Sequence, residues 1–324
     1  TTFAWSRALV PGISNAASGG PGNIFETLIN TTADPLVVTY VYTLTANGCS
    51  NVQSVTVTVN PTPVLTSTLT PAAICTNTLF SYTPASLTTG TAFGWSRAAV
   101  TGISNAAATG TDDPNETLIN TTASPVVVTY VYTLTANSCS NVQNVTVTVN
   151  PTPVLTSSLT PAAICSNTAF SYAPTSSTTG TAFGWSRASV TGISNVAATG
   201  TGNPNETLIN TLADPVVVTY VYTLTANSCS NVQSVTVTVN PTPVLTSTLT
   251  PAAICTNTVF SYTPTSSTTG INFEWSRSAV TGISNTAATG TDNPNETLIN
   301  TTADPVVVTY VYTLTVNGCS NVQN

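Results

Sequence analysis

Residues 126–149 read Val126-Val127-Val128-Thr129-Tyr130-Val131-Tyr132-Thr133-Leu134-Thr135-Ala136-Asn137-Ser138-Cys139-Ser140-Asn141-Val142-Gln143-Asn144-Val145-Thr146-Val147-Thr148-Val149, and this stretch decides the fold. β-Branched and aromatic residues fill it, and side chains along a strand alternate between faces with a period of two. Val126, Val128, Tyr130, Tyr132 and Leu134 therefore share one face, opposite Val127, Thr129, Val131, Thr133 and Thr135. A turn over 137–141 and the alternating run Val145–Val149 complete a hairpin. Helix signals are scarce elsewhere. Further strands are expected around Val64–Thr70, Leu79–Thr83, Ala92–Arg97, Gly102–Asn105 and Glu116–Asn120.

The hairpin recurs every ninety residues, as do Trp5, Trp95, Trp185 and Trp275. Residues 61–150 and 151–240 are identical at 77 of 90 positions. A unit of about ninety residues is large enough to bury its own core, so the chain reads as one small domain copied in tandem. Boundaries fall at Asn60-Pro61-Thr62-Pro63, Asn150-Pro151-Thr152-Pro153 and Asn240-Pro241-Thr242-Pro243. Two prolines in four residues favour an extended, semi-rigid connector. The expected domains are 1–60 (a partial repeat lacking its first strands), 61–150, 151–240 and 241–324 (its last strand truncated). Six or seven short strands with one Trp per unit predict an all-β chain of Ig-like sandwiches forming an extended rod.

Composition narrows the chemistry. The chain has no His, Lys or Met and four Arg in 324 residues, with a net charge of −7. Imidazole-based triads, Walker-type phosphate loops and Schiff-base lysines are excluded by residue type. His-containing zinc sites are excluded too, and the Cys spacing is not that of a thiolate site. Nucleic acid is not an expected partner, because its binding runs on Lys and Arg. Pro125–Ala136, the longest apolar stretch, is too short for a spanning helix, so the chain is not expected to be membrane-embedded.

Seven cysteines occupy two places in the repeat: Cys75, Cys165 and Cys255 before one strand, and Cys49, Cys139, Cys229 and Cys319 after another. Both places lie in polar turns, which points to cystines and an oxidising compartment. We expect pairing within repeats, Cys75–Cys139, Cys165–Cys229 and Cys255–Cys319, with Cys49 unpaired by truncation, its expected partner lying upstream of Thr1. Two other pairings fit the sequence. Head-to-tail stacking gives Cys75–Cys229 and Cys165–Cys319. Pairing across the linker gives Cys49–Cys75, Cys139–Cys165 and Cys229–Cys255.

Trp5, Trp95, Trp185 and Trp275 sit in alternating strands and are expected in the core rather than on a ligand platform. Arg97, Arg187 and Arg277 (with Arg7) and Glu116, Glu206 and Glu296 (with Glu26) recur at the same spacing and are expected to form structural ion pairs. Asp112, Asp113 and Glu116 are the one carboxylate cluster that suggests catalysis or Ca²⁺. Its counterparts Gly202 and Asn203, and Asp292 and Asn293, do not keep the charge, so a solvated loop is expected. Asn115-Glu116-Thr117 and Asn120-Thr121-Thr122 match a glycosylation sequon that is common by chance in a Thr/Asn-rich chain. No catalytic, cofactor or metal site is expected, and no enzyme activity.

The hairpin Thr129–Ser140, the run Val145–Pro153 and Ala163-Ile164-Cys165 resemble PKD-like repeats, Ig-like domains found in tandem in large secreted and surface proteins of Bacteroidota. The resemblance spans essentially the whole chain and implies export by the type IX system and a stalk or adhesin role. One segment departs: the usual Trp-Asp-Phe-Gly-Asp-Gly is here Trp95-Ser96-Arg97-Ala98. The expected role is therefore a non-enzymatic structural region of an extracellular or cell-surface filament, self-associating through low-charge surfaces. Alternatives are a carbohydrate-binding array contacting surface glycans and an ice-binding array using Thr faces such as Thr146 and Thr148.

Overall fold

A computed structural model describes residues 1–324 and contains strands and no helix. The chain divides into two units, Thr1–Thr152 with the hairpin tip Asn227–Cys229, and Pro153–Ala226 with Ser230–Asn324.

The repeat 61–150 has seven strands: β1 Ile74–Cys75, β2 Thr78–Phe80, β3 Ala92–Arg97, β4 Ala108–Thr111, β5 Glu116–Leu118, β6 Val126–Ala136 and β7 Cys139–Asn150. One sheet has the order β1-β7-β6-β3-β4 and the other pairs β2 with β5. The β6–β7 hairpin runs in register from Val126 opposite Val149 to Ala136 opposite Cys139. Its turn is the two-residue loop Asn137-Ser138, both at positive φ (49° and 61°). That geometry is the tight turn whose twist matches the flanking strands. β7 thus begins three residues earlier than a 137–141 turn would allow, because Cys139–Asn141 continue the ladder.

Val128, Tyr130, Tyr132 and Leu134 of β6 and Val145, Val147 and Val149 of β7 are fully buried, with Val128 opposite Val147 and Tyr130 opposite Val145. Phe80 and Leu118 from the second sheet, with Trp95, close the core. Repeat 151–240 repeats this core residue for residue. Residues 1–60 form a four-stranded sheet, and 241–324 form one four-stranded and one two-stranded sheet.

Two expected strands do not form. Val64–Thr70 follows Pro61 and Pro63 and forms no ladder; it is held by isolated bonds, such as Thr66 N–H to Ala85 O at 2.8 Å. Over 102–105 only Ile103 bridges Asn120. There the Asn105 side chain acts as a strand partner, donating to Thr117 O (2.8 Å) and accepting from Ile119 N–H (3.0 Å). β4, by contrast, carries no apolar alternation and has no sequence signal. Its place is explained by Gly110, where a Cβ would lie 2.7 Å from Trp95 Cζ2.

Candidate functional site

Two constructions recur in the chain: a buried ionic cluster inside each repeat and a joint between one repeat and the next. In the cluster, Arg97 ends β3 and Glu116 begins β5, so the two sheets present their side chains to each other. The guanidinium donates twice to the carboxylate at 2.8 Å, and also to Ala106 O at 2.7 Å and Ala98 O at 3.3 Å. Tyr130 O–H donates to the same carboxylate at 2.7 Å. Arg97 is 1 % exposed. Arg7–Glu26, Arg187–Glu206 and Arg277–Glu296 repeat the arrangement at 2.8–2.9 Å. A buried guanidinium is tolerated when its donors are satisfied, and here the carboxylate and two carbonyls do so.

The cluster shifts its own titrations. Hydrogen bonds from Arg97, opposed by burial and aided by Tyr130, hold the Glu116 carboxyl below its usual range. Glu26 is held down to about 2 by the same arrangement with Arg7. Burial, then the Glu116 hydrogen bond, raises the Tyr130 hydroxyl well above its usual range.

Each Trp packs edge-on against a cluster tyrosine: Trp95 meets Tyr130 at 5.5 Å and 70°. Trp5, Trp185 and Trp275 do the same with Tyr40, Tyr220 and Tyr310. All four rings are buried, with the indole Nε1 unpartnered. Such aromatic pairs add about 0.5–1.5 kcal/mol beyond their area.

The acidic loop is more than solvated. Asp113 accepts from Ser81 O–H (2.6 Å), Tyr82 N–H (2.8 Å) and Asn115 N–H (3.1 Å). Asn203 accepts from Tyr172 N–H and Asn293 from Tyr262 N–H in the same way, which is why charge is dispensable there. Asp112 and Asp292 stand at φ of 56° and 54° where the third copy has Gly202. A left-handed turn accepts Asp or Gly, so backbone geometry selects these residues. No group of three or more Cys, Asp or Glu is placed to hold a metal ion. Asn120 of the second sequon is buried, its amide bound to Ser124 O and Val149 O.

The cysteines depart from pairing within repeats. The cystines are Cys75–Cys229 and Cys165–Cys319, with Cα–Cα distances of 5.6 and 5.5 Å. The reason is the register of β7. Asn150, its last residue, lies beside Cys75, while Cys139 opens the same strand. Those ends are roughly 35 Å apart at about 3.3 Å per residue, far beyond the ~7 Å reach of a disulfide. Cys49, Cys139 and Cys255 are free thiols.

Around the cysteines lies the rest of the joint, which sequence reading did not find. The last residue of one repeat binds the hairpin tip of the next: Asn60 Nδ2 donates to Asn137 O at 2.8 Å, and Asn240 Nδ2 to Asn317 O at 3.2 Å. Asn150 does so to Asn227 O at 2.9 Å, beside the Cys75–Cys229 bond. The linker is also fastened to the hairpin. Asn141 Nδ2 donates to Pro63 O (3.0 Å), and Leu65 N–H donates to Gln143 Oε1 (2.6 Å). Asn321 and Gln323 hold Pro243 and Leu245 alike. Pro61, Pro63, Pro151 and Pro153 are buried. The signal was present as the recurrent Asn-Val-Gln after each hairpin cysteine, but it has no apolar period to attract notice.

Among proteins of curated function, none matches the sequence. Among solved structures, an I-band fragment of titin is 11% identical, with a TM-score of 0.38, over 80% of this chain and 95% of that one. Drosophila N-cadherin EC1-4 is 11% identical, with a TM-score of 0.27, over 99% of this chain and 90% of that one. The PKD-like domain profile matches twice, at residues 72–153 and 162–243, just over half of the chain. Those two copies hold the cores and ionic clusters described above, and the chain belongs to the PKD-like domain family.

Proposed function

We propose that this chain is a non-enzymatic structural region of an extracellular or cell-surface filament or adhesin stalk, supplying length and stiffness outside the cell. The observation that carries the reading is the placement of the cystines: they tie one repeat to the next instead of closing each repeat on itself. Around them, the prolines are packed and Asn and Gln side chains fasten linker to hairpin. What recurs in every copy is a means of folding and joining; no set of reactive groups recurs with it. Disulfides of this kind persist in oxidising surroundings, which supports export. A glycan-binding array would present exposed aromatic rings in each copy. The exposed ones are Phe3 and Phe25, both in residues 1–60.

Single-molecule stretching from Thr1 to Asn324 tests the reading. The shortest covalent path runs from Thr1 to Cys75, across to Cys229, back to Cys165, across to Cys319 and on to Asn324. That path is roughly 140 residues, about 500 Å when fully drawn at ~3.5 Å each, against about 1,100 Å for the reduced chain. An oxidised chain that extends to the reduced length would overturn the mechanical role.

A further inference from the structure

A sheet edge is a row of unpaired backbone donors and acceptors, and repeat 151–240 closes two of its edges with its own groups. Along the strand Cys229–Asn240, Asn231 Nδ2 donates to Pro153 O (3.1 Å), Leu155 N–H donates to Gln233 Oε1 (2.6 Å) and Thr236 N–H donates to Leu159 O (2.9 Å). Along Glu206–Leu208, the Asn195 side chain donates to Thr207 O (2.8 Å) and accepts from Ile209 N–H (3.0 Å). The far edge of the five-stranded sheet is different. It is Ala198–Thr201, the equivalent of β4, which pairs only with Ala182–Arg187. Gly202 N–H donates to Phe183 O at 2.8 Å, which fixes the alternation of the ladder. Ala198 and Gly200 bond inward, and the N–H and C=O groups of Thr199 and Thr201 point outward. Both threonines are exposed, and no side chain or loop of the chain bonds to these groups.

The other three copies guard this edge. In residues 1–60 the position of Thr201 is Pro21, which has no N–H to offer. In repeat 61–150, Asp112 and Asp113 follow β4 directly. In the last repeat, Glu274 stands exposed opposite Thr291, and Asp292 follows. Proline and charge are devices that prevent edge-to-edge pairing. Repeat 151–240 has Gly184, Gly202 and Asn203 where the charges stand in its neighbours. Its Arg187 and Glu206 are joined in the ionic cluster, leaving Asp214 as its one unpaired charge. Val196, 79% exposed two residues before the strand, stands where the other copies have Ala16, Ala106 and Thr286.

We propose that Ala198–Thr201 is an interaction surface whose partner is the same strand of a second copy of this chain, paired antiparallel about Gly200. The strand complements itself. With Gly200 opposite Gly200, Thr199 of each copy lies opposite Thr201 of the other, and about four backbone hydrogen bonds join their outward groups. The glycine pair falls at the non-hydrogen-bonded position, where Cα atoms approach to about 4.5 Å. The threonines form cross-strand pairs on the outer face, of the kind that stabilise antiparallel sheets. No charge is buried by the contact. The inference goes beyond the structural role proposed above and can fail while that role stands, because the role rests on cystines within one chain.

The test uses the full-length chain, cystines intact and free thiols alkylated, in sedimentation equilibrium up to about 1 mM, the weak end of specific association that so short an edge implies. The expected result is a monomer–dimer equilibrium, with the Thr199 and Thr201 amides slowing in hydrogen exchange as concentration rises. Thr201→Pro, the residue that the first copy holds at this place, removes two of the bonds at once and weakens the dimer roughly tenfold or more. Gly202→Asp with Asn203→Asp installs the guard of repeat 61–150 and weakens the dimer too, more so at low salt. Thr111→Pro, on the guarded edge of repeat 61–150, leaves it unchanged. Four results would each overturn the proposal: a monomer throughout the range, a dimer whose Thr199 and Thr201 amides exchange as fast as in the monomer, a dimer undiminished in both the Thr201→Pro and the double-Asp variants, or one that Thr111→Pro weakens equally.

Discussion

Replacing Glu116 with Gln removes one negative charge from the buried cluster and leaves its volume nearly unchanged. In the wild type the carboxylate takes three donors: two from Arg97 at 2.8 Å and one from Tyr130 at 2.7 Å. The amide of Gln has one acceptor oxygen, and its NH₂ must face a guanidinium or hydroxyl donor. Arg97 cannot escape to water, being 1% exposed, and the carbonyls of Ala98 and Ala106 do not neutralise it. Breaking a buried pair in this way costs about 3–5 kcal/mol, whereas an exposed pair costs about 0–1. A loss of that size lowers the melting point of a ~90-residue domain by more than about 12 °C. Because repeats 61–150 and 151–240 each have their own core, the assay is hydrogen exchange resolved by peptide. Residues 61–150 should lose protection while 151–240 keep it. The double variant Arg97→Met with Glu116→Leu should recover much of the loss, since an apolar pair of similar size avoids the stranded charge. A cost below ~1 kcal/mol for Glu116→Gln would refute the reasoning and make the cluster no more than a surface salt bridge.

Acid should act through the same four carboxylates. Glu26, Glu116, Glu206 and Glu296 are all held below their unfolded value, Glu26 at about 2. A depressed carboxylate contributes stability above its unfolded pKa and loses it as pH falls through the folded one. Melting midpoints should therefore be flat from pH 7 to 5 and fall between about 4.5 and 2. At the alkaline end, Tyr130 and Tyr220 are raised by burial, so their contribution is present below pH ~10 and lost above it, which a tyrosinate absorbance titration will follow. Gly110→Ala places a methyl 2.7 Å from the Trp95 ring and should cost about 1–3 kcal/mol, with a changed Trp emission spectrum. Ser138→Gly relieves a left-handed φ of 61° and should stabilise repeat 61–150 by about 0.5–1 kcal/mol in thermal melts. Gly48 and Gly318 already occupy the equivalent turns.

The fold was legible because the hairpin has a period of two and little competing pattern. Its buried face, from Val128 to Leu134, is the one that alternation assigns. Arg97 and Glu116 were recognisable by their common ninety-residue spacing, although nothing in the sequence shows that Tyr130 joins them. Harder to read were elements held by single bonds rather than by a periodic face. Val64–Thr70 has strand composition but is held only by isolated bonds such as Thr66 N–H to Ala85 O, and β4 exists because Gly110 admits the Trp95 ring. The joint was hidden for a different reason. Its partners, Asn60 with Asn137 or Cys75 with Cys229, are 77 and 154 residues apart and belong to different copies. Within a single repeat the two cysteines look like natural partners. Only the length of β7 separates them.

The central claim is that cystines tie successive repeats together, and non-reduced peptide mapping of the native chain tests it most directly. The near-identical copies are distinguishable: Cys75 is followed by Thr76 and Cys165 by Ser166, while Asn144 and Ser234 mark the Cys139 and Cys229 peptides. The account predicts Cys75–Cys229 and Cys165–Cys319. Recovery of Cys75–Cys139, Cys165–Cys229 and Cys255–Cys319 would contradict it.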